Sequence, residues 1–385
     1  MDLRYTPEQD AFRAEARAWL QANAPRGPLE HFDASRKGFE QHRAWERTLK
    51  SGDWGMVTWP REYGGRGLDL IQWLIFEEEY YRAGAPGRVN QNGIFLLGPT
   101  LIEFGTHEQK ARFLPPMAAG DEIWAQAWSE PQAGSDLAGV RSTAVRDGDE
   151  YVLNGHKIWS SRAVFADWAF GLFREPGSER HKGMSLIFFR LDQEGVTRNP
   201  IRKINGHVGF AEIFLENVRA PAFNRLGEEG AGWRICMATA GFERGLMLRS
   251  PARYQVAAAR LAALYQARRD AADPALEAEV VRAWMNAEAY ALSIYATASR
   301  LMAGGSIGPE ASTNKIFWSE LDIHLHQTAL AILGPRAELR PEAPDAGEVG
   351  EWLDDYVFSL AGPIYAGSNE IQRNIIAERM LGLPR

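Results

Sequence analysis

Residues 1–118 alternate apolar and polar positions at the spacing of amphipathic helices. Phe12, Ala16, Trp19 and Leu20 recur at intervals that place them on one helical face. Thr6-Pro7-Glu8-Gln9 and Thr106-His107-Glu108-Gln109 each carry the pattern of a capping box. The helix that begins at the capping box of residues 106–109 is expected to stop at a double proline and a glycine, in KARFLPPMAAG. The glycine-rich stretch WPREYGGRGLDL predicts an ordered loop between these helices.

The period changes between about residues 121 and 222. Short apolar runs are separated by turn pairs such as Asp-Gly and Asn-Gly, which predicts strands and hairpins of a small antiparallel barrel or sandwich. The runs are IWAQAW, EYVLN, KIW, ADWAFGLF, MSLIFFR and AEIFLENV.

Helical patterning returns from residue 226 to residue 385. Its breaks fall at Asp273-Pro274, Gly304-Gly305, Gly308-Pro309, Gly334-Pro335 and in residues 341–350, which predicts a bundle of four or five helices. The chain is therefore expected to be α+β and multi-domain. The predicted domains are an N-terminal helical domain (1–120), a middle β-barrel domain (121–225) and a C-terminal helical bundle (226–385).

Charge and composition narrow the function classes. The 43 basic and 50 acidic residues give a net charge of −7, which provides no electrostatic case for nucleic acid or an anionic membrane. The sequence contains no run of 18 apolar residues, so it predicts no membrane-spanning helix. The first residues do not resemble a signal peptide, and a cytoplasmic protein is therefore expected. The single cysteine, Cys236, excludes an internal disulfide and any metal or iron–sulfur cluster built on cysteines.

The segment from Ser129 to Ser161 carries the first candidate chemistry. It opens with SEPQAGSDLAG, a turn of small residues whose backbone N–H groups and hydroxyls suit an anion such as a pyrophosphate. A hairpin then delivers the aromatic Trp159 beside the hydroxyls of Ser160 and Ser161. An anion-binding turn with an aromatic platform fits a dinucleotide that carries a ring, such as a flavin, although each part alone is a common turn or hairpin.

The C-terminal tail carries the second segment with candidate chemistry, and it reads PIYAGSNEIQRNIIAERMLGLPR. A tight Ala-Gly-Ser turn precedes a helix for which Ser368 is the expected N-cap. The helix is either a capped terminal element packed on the bundle or one whose N-terminus directs backbone N–H groups at a ligand.

Together with GTHEQKARFLPPMAAGDEIWAQAWSEP, these two segments resemble the acyl-CoA dehydrogenase family over nearly the whole chain. The resemblance implies FAD and removal of two hydrogens across the α,β-carbons of an acyl-CoA, with electrons passing to an electron-transferring flavoprotein. It implies a homotetramer or an α2β2 assembly with a homologous subunit. Cofactor contacts are implied at Trp128, Ser129, Gly134, Ser135, Trp159, Ser161 and Ser368.

In this family a carboxylate removes the α-proton, and its place in the tail corresponds to Ala366, which cannot accept a proton. A minority of members carry the carboxylate on the helix that opens the last domain, where Glu243 matches. Glu243 is therefore the predicted base, with Ala366 donating its backbone N–H to the thioester oxygen. Arg244 and Ser135 are the predicted substrate contacts. Alternatively, Glu243 and Arg244 form a buried ion pair, or the subunit is inactive.

Two motifs depart from the family. LYQARRDAADP lacks the Phe-Gly of an Arg-x-x-Phe-Gly motif, although Arg268 or Arg269 could replace its arginine. The residues 331–335 read Ala-Ile-Leu-Gly-Pro in place of Gln-x-Phe-Gly-Gly. Both motifs serve a neighbouring subunit's FAD, so two further hypotheses stay open: a non-catalytic or half-site partner, and an acyl-CoA oxidase or monooxygenase. His324 and His326, at i and i+2 of a predicted helix, do not predict a metal pair.

Overall fold

A computed structural model describes residues 4–244, 250–341, 343–347 and 349–384, without the side chains of residues 242–244. The described residues form two compact units. One unit comprises the described parts of Met1–Gln21, Asp69–Gly84 and Arg244–Arg385, and the other comprises Ala22–Leu68 and Ala85–Glu243. The three domain ranges given above stay a prediction.

The described residues of the first third of the chain form five α-helices: α1 (Pro7–Asn23), α2 (Arg36–Ser51), α3 (Leu70–Arg82), α4 (Gly98–Phe104) and α5 (His107–Ala118). Both predicted capping boxes are confirmed. The backbone N–H of Gln9 donates to Thr6 Oγ1 at 3.3 Å while Thr6 N–H donates to Gln9 Oε1 at 3.0 Å. Thr106 and Gln109 make the same reciprocal pair at the start of α5. A π-helical segment, Asn92–Leu97, precedes α4.

The expected stop of α5 at its double proline is wrong. The helix includes Pro115 and Pro116 and ends at Ala118. Each proline removes a helical donor, but both lie in the last turn, where their carbonyls still accept from Ala119 at 3.0 Å and from Asp121 at 3.0 Å. The chain leaves the helix at Gly120, whose φ of +73° is the left-handed conformation that glycine adopts freely.

Eight strands form one sheet: β1 (Trp124–Ala127), β2 (Thr143–Asp147), β3 (Glu150–Ser161), β4 (Trp168–Arg174), β5 (Met184–Arg190), β6 (Val196–Ile201), β7 (Phe210–Pro221) and β8 (Arg225–Leu226). Their order is β6-β7-β3-β2-β4-β5-β8, with β1 beside β4. The pairings are antiparallel as expected, except that β1 and a single residue of β2 lie parallel to β4.

The runs EYVLN and KIW belong to one strand, β3, and not to two. The Asn-Gly pair between them does not form a turn and stays within the strand. Gly155 has a φ of +150° at a register shift, so the strand continues through an irregularity. Inward side chains of the sheet, among them Leu153, Phe173 and Ile213, are fully buried in its core.

After the sheet, the part of the chain that the structure describes contains six α-helices: α6 (Gly232–Arg244), α7 (Pro251–Ala267), α8 (Leu276–Met302), α9 (Ala311–Leu333), α10 (Val349–Ser359) and α11 (Asn369–Arg379). The breaks between α7 and α10 fall where the sequence predicted them. In the first unit α9 packs against α7, α8, α10 and α11, and α3 packs on α7 and α8. Within the described residues no helix is both long and apolar enough to cross a membrane.

Candidate functional site

The turn after β1 is closed by its own backbone. Glu130 and Ala133 exchange two backbone hydrogen bonds of 2.9 Å, and the carbonyl of Ser129 accepts from the N–H of Ile158 at 2.9 Å. Gly134 and Ser135, at the tip, are exposed. The predicted anion-binding turn is thus an ordered surface loop that is hydrogen-bonded to β3 and exposes Gly134 and Ser135 to solvent.

A buried ion pair holds this turn, and sequence reasoning missed it. Lys157 of β3 is fully buried and donates from Nζ to Glu130 Oε1 at 2.7 Å. The Glu130 carboxylate also accepts the backbone N–H groups of Arg141 at 2.6 Å and Ser142 at 2.9 Å. Burial alone would raise the pKa of Glu130, but the Lys157 charge and these donors lower it to about 2. Strand alternation could have found the pair, because it places Lys157 on the inward face with Tyr151 and Leu153, where a cation needs a partner.

Trp159 lies at a bulge near the end of β3. One extra residue is inserted between the pairs Lys157–Ile213 and Ser160–Ala211, and Trp159 takes a left-handed φ of +58°. Its side chain is 58% exposed and meets the ring of Phe210 edge-on at 6.1 Å. A left-handed backbone conformation is unfavourable for a tryptophan, so the contacts around Trp159 must stabilise it.

The two serines after Trp159 differ in environment. Ser160 is fully buried, and its hydroxyl has no hydrogen-bond partner among the described residues. Ser161 is half-buried, and its carbonyl accepts from Asn92 Nδ2 at 3.3 Å. Arg162, also left-handed at φ +70°, donates its backbone N–H to Gly209 at 3.2 Å. The corner at Trp159–Arg162 is therefore anchored on β7 and on the π-helical segment.

These features fit a planar, anionic cofactor. The indole N–H of Trp128 is buried with no acceptor among the described groups, as is the hydroxyl of Ser160. A side chain at Gly134 would meet no described atom within 4 Å, so the turn leaves open space at that point. Two buried donors without an acceptor, an exposed aromatic ring and a turn with open space therefore occur in segments that the hydrogen bond from Ile158 to Ser129 joins.

The tail turn belongs to the other unit. Ala366 and Gly367 are both left-handed, with φ of +57° and +78°, and the Ser368 hydroxyl accepts from Ile371 N–H at 3.4 Å. The predicted tight turn and N-cap are confirmed. Gln372 Nε2 donates to the carbonyl of Gly367 at 3.2 Å, which ties the turn to the first turns of α11.

A second missed pair fixes α11. Asn369 is buried, and its Oδ1 accepts from Lys315 Nζ at 2.8 Å and from the Ser319 hydroxyl at 3.2 Å. Lys315 is itself fully buried on α9. Neither residue belongs to a motif that the sequence singled out, and only the packing of α11 on α9 brings them together.

Glu243 and Arg244 are the last two residues of α6. Their side chains lie outside the described part of the structure, so the catalytic role of Glu243, the substrate contact of Arg244 and the alternative ion pair all stay predictions. Arg268 is half-buried, with no described partner for its Nε, while Arg269 pairs with Glu277 at 3.5 Å.

The two histidines of α9 have separate partners. His324 Nε2 lies 2.9 Å from Glu279, and His326 Nδ1 lies 2.7 Å from the carbonyl of Asp322. Within the residues that the structure covers, no group of three histidine, cysteine or carboxylate side chains is placed to hold a metal ion.

Three family profiles match the chain: the acyl-CoA dehydrogenase N-terminal domain over residues 6–121, the middle domain over 125–218 and the C-terminal domain over 230–381. The acyl-CoA dehydrogenase IpdE1 of Mycobacterium tuberculosis is 43% identical over 98% of both chains. A solved structure described as the Tcur3481-Tcur3483 steroid ACAD is 30% identical, with a TM-score of 0.89 and full coverage of both chains.

The ChsE4-ChsE5 complex from Mycobacterium tuberculosis contains a chain that is 32% identical, with a TM-score of 0.86 and full coverage of both chains. The resemblance drawn from the two signature segments is confirmed, since the matched domains follow the predicted order along the chain. The protein belongs to the acyl-CoA dehydrogenase family and is an enzyme of that family.

Proposed function

We propose that this protein is an FAD-dependent dehydrogenase that converts an acyl-CoA thioester to its trans-2-enoyl product, in the cytoplasm, and passes electrons to an electron-transferring flavoprotein. The observation that carries the proposal is the corner at Trp159, where an exposed indole and a half-buried serine end a strand that is hydrogen-bonded to the ordered turn at Ser129. Family membership supplies the reaction class, and the corner supplies residues suited to a flavin.

Each flavin contact has a physical reason. Trp128 and Ser129 offer donors at the start of the turn, Ser161 offers a hydroxyl beside the ring, and Trp159 offers a flat apolar face. Gly134 and Ser135 present backbone N–H groups to the phosphates, and Ser368 adds a hydroxyl from the tail turn. When bound, the flavin supplies the acceptor for the hydride that leaves the β-carbon.

The roles of base, hydrogen-bond donor to the thioester and CoA contact are proposed for residues of the chain itself. Glu243 is the proposed base for the α-proton, because the tail position that carries a carboxylate in most relatives is Ala366. The left-handed turn at Ala366 and Gly367 supports a role for the Ala366 backbone N–H as donor to the thioester oxygen, which would stabilise negative charge there as the proton leaves. Arg244 and Ser135 are the proposed contacts of the CoA portion.

The solved relatives favour a bulky substrate. One of them is described as a steroid ACAD, so polycyclic acyl-CoA thioesters are the first class that we would test. The same description, and that of the ChsE4-ChsE5 complex, name two different chains. With the altered residues 331–335, this supports a second candidate: a subunit of an α2β2 assembly that needs a homologous partner to complete one FAD site.

The first experiment is to purify the chain alone and record its visible spectrum and its mass in solution. A yellow homotetramer with about one flavin per chain is the expected result for a complete enzyme. A colourless chain that becomes yellow only with a co-expressed homologue would establish the half-site subunit. Oxygen consumption on addition of acyl-CoA, without electron-transferring flavoprotein, would favour the oxidase hypothesis.

Glu243→Gln then tests the base, with Glu370→Gln as the matched control because Glu370 is an exposed carboxylate of the tail helix. General-base catalysis contributes about 10²–10⁴ in rate, so Glu243→Gln should lose about that much turnover at unchanged flavin content. Glu370→Gln should keep wild-type turnover. Wild-type turnover in Glu243→Gln would show that the base lies elsewhere.

A further inference from the structure

The corner at Trp159–Arg162 begins and ends at residues with a left-handed backbone. Trp159 has a φ of +58° and Arg162 has a φ of +70°. This conformation is unfavourable for residues that carry a Cβ, so contacts with the surrounding chain must stabilise it. Trp159 exposes most of its ring to solvent, whereas Arg162 is half-buried and contacts three other segments of the chain. The contacts of Arg162 are therefore suited to stabilise the corner.

The backbone of Arg162 is hydrogen-bonded on both sides. Its N–H donates to the carbonyl of Gly209 at 3.2 Å, and its carbonyl accepts from the N–H of Phe165 at 3.0 Å. The guanidinium donates from Nε to the carbonyl of Val89 at 3.3 Å and from Nη2 to Gln91 Oε1 at 3.3 Å. Arg162 thus joins the end of β3 to the start of β7 and to the residues that precede the π-helical segment.

The guanidinium of Arg162 also lies over an aromatic ring from the loop between α1 and α2. Its Cζ is 4.2 Å from the ring centroid of Phe32, well inside the limit of about 6 Å for a cation–π contact. Two histidine rings contact Phe32 in turn, His31 at 4.4 Å and His42, edge-on, at 5.2 Å. A Cβ at Gly87 would lie 3.3 Å from the Phe32 ring, so a glycine leaves the ring its space.

A mostly buried ion pair fixes the loop around this ring. Lys203 Nζ donates to Asp33 Oδ2 at 3.0 Å, and the two side chains are 15% and 7% exposed. Burial would raise the pKa of Asp33, but the charges of Arg162 and Lys203 lower it below its usual value. The carbonyl of Asp33 accepts from Val208 N–H at 2.9 Å. A Cβ at Gly209 would lie 2.3 Å from Asp33 Oδ2, so the carboxylate reaches this position only because the residue is glycine.

We propose that Arg162 is a positioning residue for the flavin. Supported by Phe32, Asp33 and Lys203, it keeps the corner at Trp159–Arg162 in its left-handed form before the cofactor binds. This role rests on the proposed function, because it assumes that the corner receives FAD. It adds to that function a support that comes from outside the turn at Ser129 and the tail turn.

Preorganisation gives the expected size of the effect. A site that is already in its binding conformation does not spend binding free energy on ordering itself. Without its side-chain contacts, Arg162 would no longer stabilise the left-handed corner, and the cofactor would have to restore that conformation on binding. The cost of one such residue corresponds to weaker binding by about 5- to 150-fold. Changes of this kind mostly appear in the rate of release.

The test measures how fast FAD leaves the holoprotein, from the flavin that passes an ultrafiltration membrane after dilution. Arg162→Gln should release FAD about 5- to 150-fold faster than the wild type. Arg162→Lys keeps the charge without the planar fork and should give an intermediate rate. Arg198→Gln is the matched control and should keep the wild-type rate. Arg198 is a half-buried arginine that donates to the carbonyls of the residues just after the corner, Ala163, Val164 and Ala166.

Phe32→Leu tests the support without altering Arg162, and it also serves if Arg162→Gln unfolds. It removes the cation–π contact and should accelerate FAD release, whereas Phe32→Tyr keeps the ring and should restore the wild-type rate. Because both substitutions act through one contact, the double variant Arg162→Gln with Phe32→Leu should release FAD little faster than Arg162→Gln alone. A merely structural role would lower the thermal midpoint of these variants without this pattern of release rates.

The outcomes separate this role from the proposed function. A wild-type release rate in Arg162→Gln, or equal acceleration in Arg198→Gln, would overturn the role of Arg162 and leave FAD binding intact. Absence of FAD both from the wild-type chain and from its complex with a co-expressed homologue would overturn the proposed function, and this role with it. Faster release from Arg162→Gln and Phe32→Leu, with recovery in Phe32→Tyr, is the result that the proposal requires.

Discussion

Replacement of Lys157 by methionine should destabilise the protein severely, although it only exchanges one long side chain for another. Lys157 is fully buried and the Glu130 side chain is 2% exposed, so the substitution leaves a carboxylate in the interior without its counter-charge. Breaking a buried ion pair in this way costs about 3–5 kcal/mol. The backbone N–H groups of Arg141 and Ser142 remain as donors, which should hold the loss toward the lower end of that range.

The lowered pKa of Glu130 gives a second magnitude, which covers Lys157 and the hydrogen bonds from residues 141 and 142 together. A decrease from the usual 4.5 to about 2 corresponds to about 3 kcal/mol at 1.36 kcal/mol per pKa unit. Because the folded pKa is the lower one, this stabilisation is complete above pH 4.5 and is lost as the pH falls toward 2. Burial lowers the pKa of Lys157 and offsets part of the gain.

Urea unfolding followed by circular dichroism at pH 7 and at pH 3 measures both effects. Lys157→Met should lower the free energy of unfolding by about 3 kcal/mol at pH 7 and by less at pH 3. Lys182→Met, at an exposed loop position, is the matched control and should leave both values unchanged. The double variant Glu130→Gln with Lys157→Met should recover part of the loss, since it leaves no unpaired charge. Wild-type stability of Lys157→Met at pH 7 would refute the reasoning.

Three further outcomes follow from the site. Asn369→Ala should lower the thermal midpoint and increase amide hydrogen exchange in α11, because the buried Lys315 ammonium loses an acceptor at a cost of about 2 kcal/mol; unchanged exchange would contradict this. Trp159→Ala should cost less than about 1 kcal/mol of stability but reduce the flavin retained on purification, whereas the fully buried Trp124→Ala should cost about 3–5 kcal/mol. Ala366→Gly should raise the free energy of unfolding by about 0.5–1 kcal/mol, because glycine adopts a φ of +57° without strain, and a lower value in urea unfolding would argue against strain there.

Elements specified by neighbouring residues were predictable from the sequence. The capping boxes at Thr6 and Thr106 and the turn at Ala366 depend on contacts within a few positions, and the structure has them where expected. The stop at Pro115 was predicted wrongly because the rule for proline describes helix interiors, whereas a last turn loses little when a donor is missing.

The buried polar pairs that hold the segments of the candidate site could not be predicted in the same way. Glu130 and Lys157 are 27 positions apart, and Lys315 and Asn369 are 54 positions apart. Such pairs depend on strand register and helix packing, which local patterns do not specify. The bulge at Trp159 was missed for the same reason, since an extra residue in β3 is visible only against the register of β7.

The discontinuous make-up of the first unit has a consequence for synthesis in the cell. Residues near the start of the chain belong with residues near its end, whereas Ala85–Glu243 lies entirely between them. At about 5–20 residues per second, α1 leaves the ribosome roughly 20–70 seconds before the last helix of its unit exists. During that interval its apolar residues Phe12, Ala16 and Leu20 have no completed core to enter. We therefore expect the nascent chain to bind chaperones that recognise exposed apolar helices until translation ends.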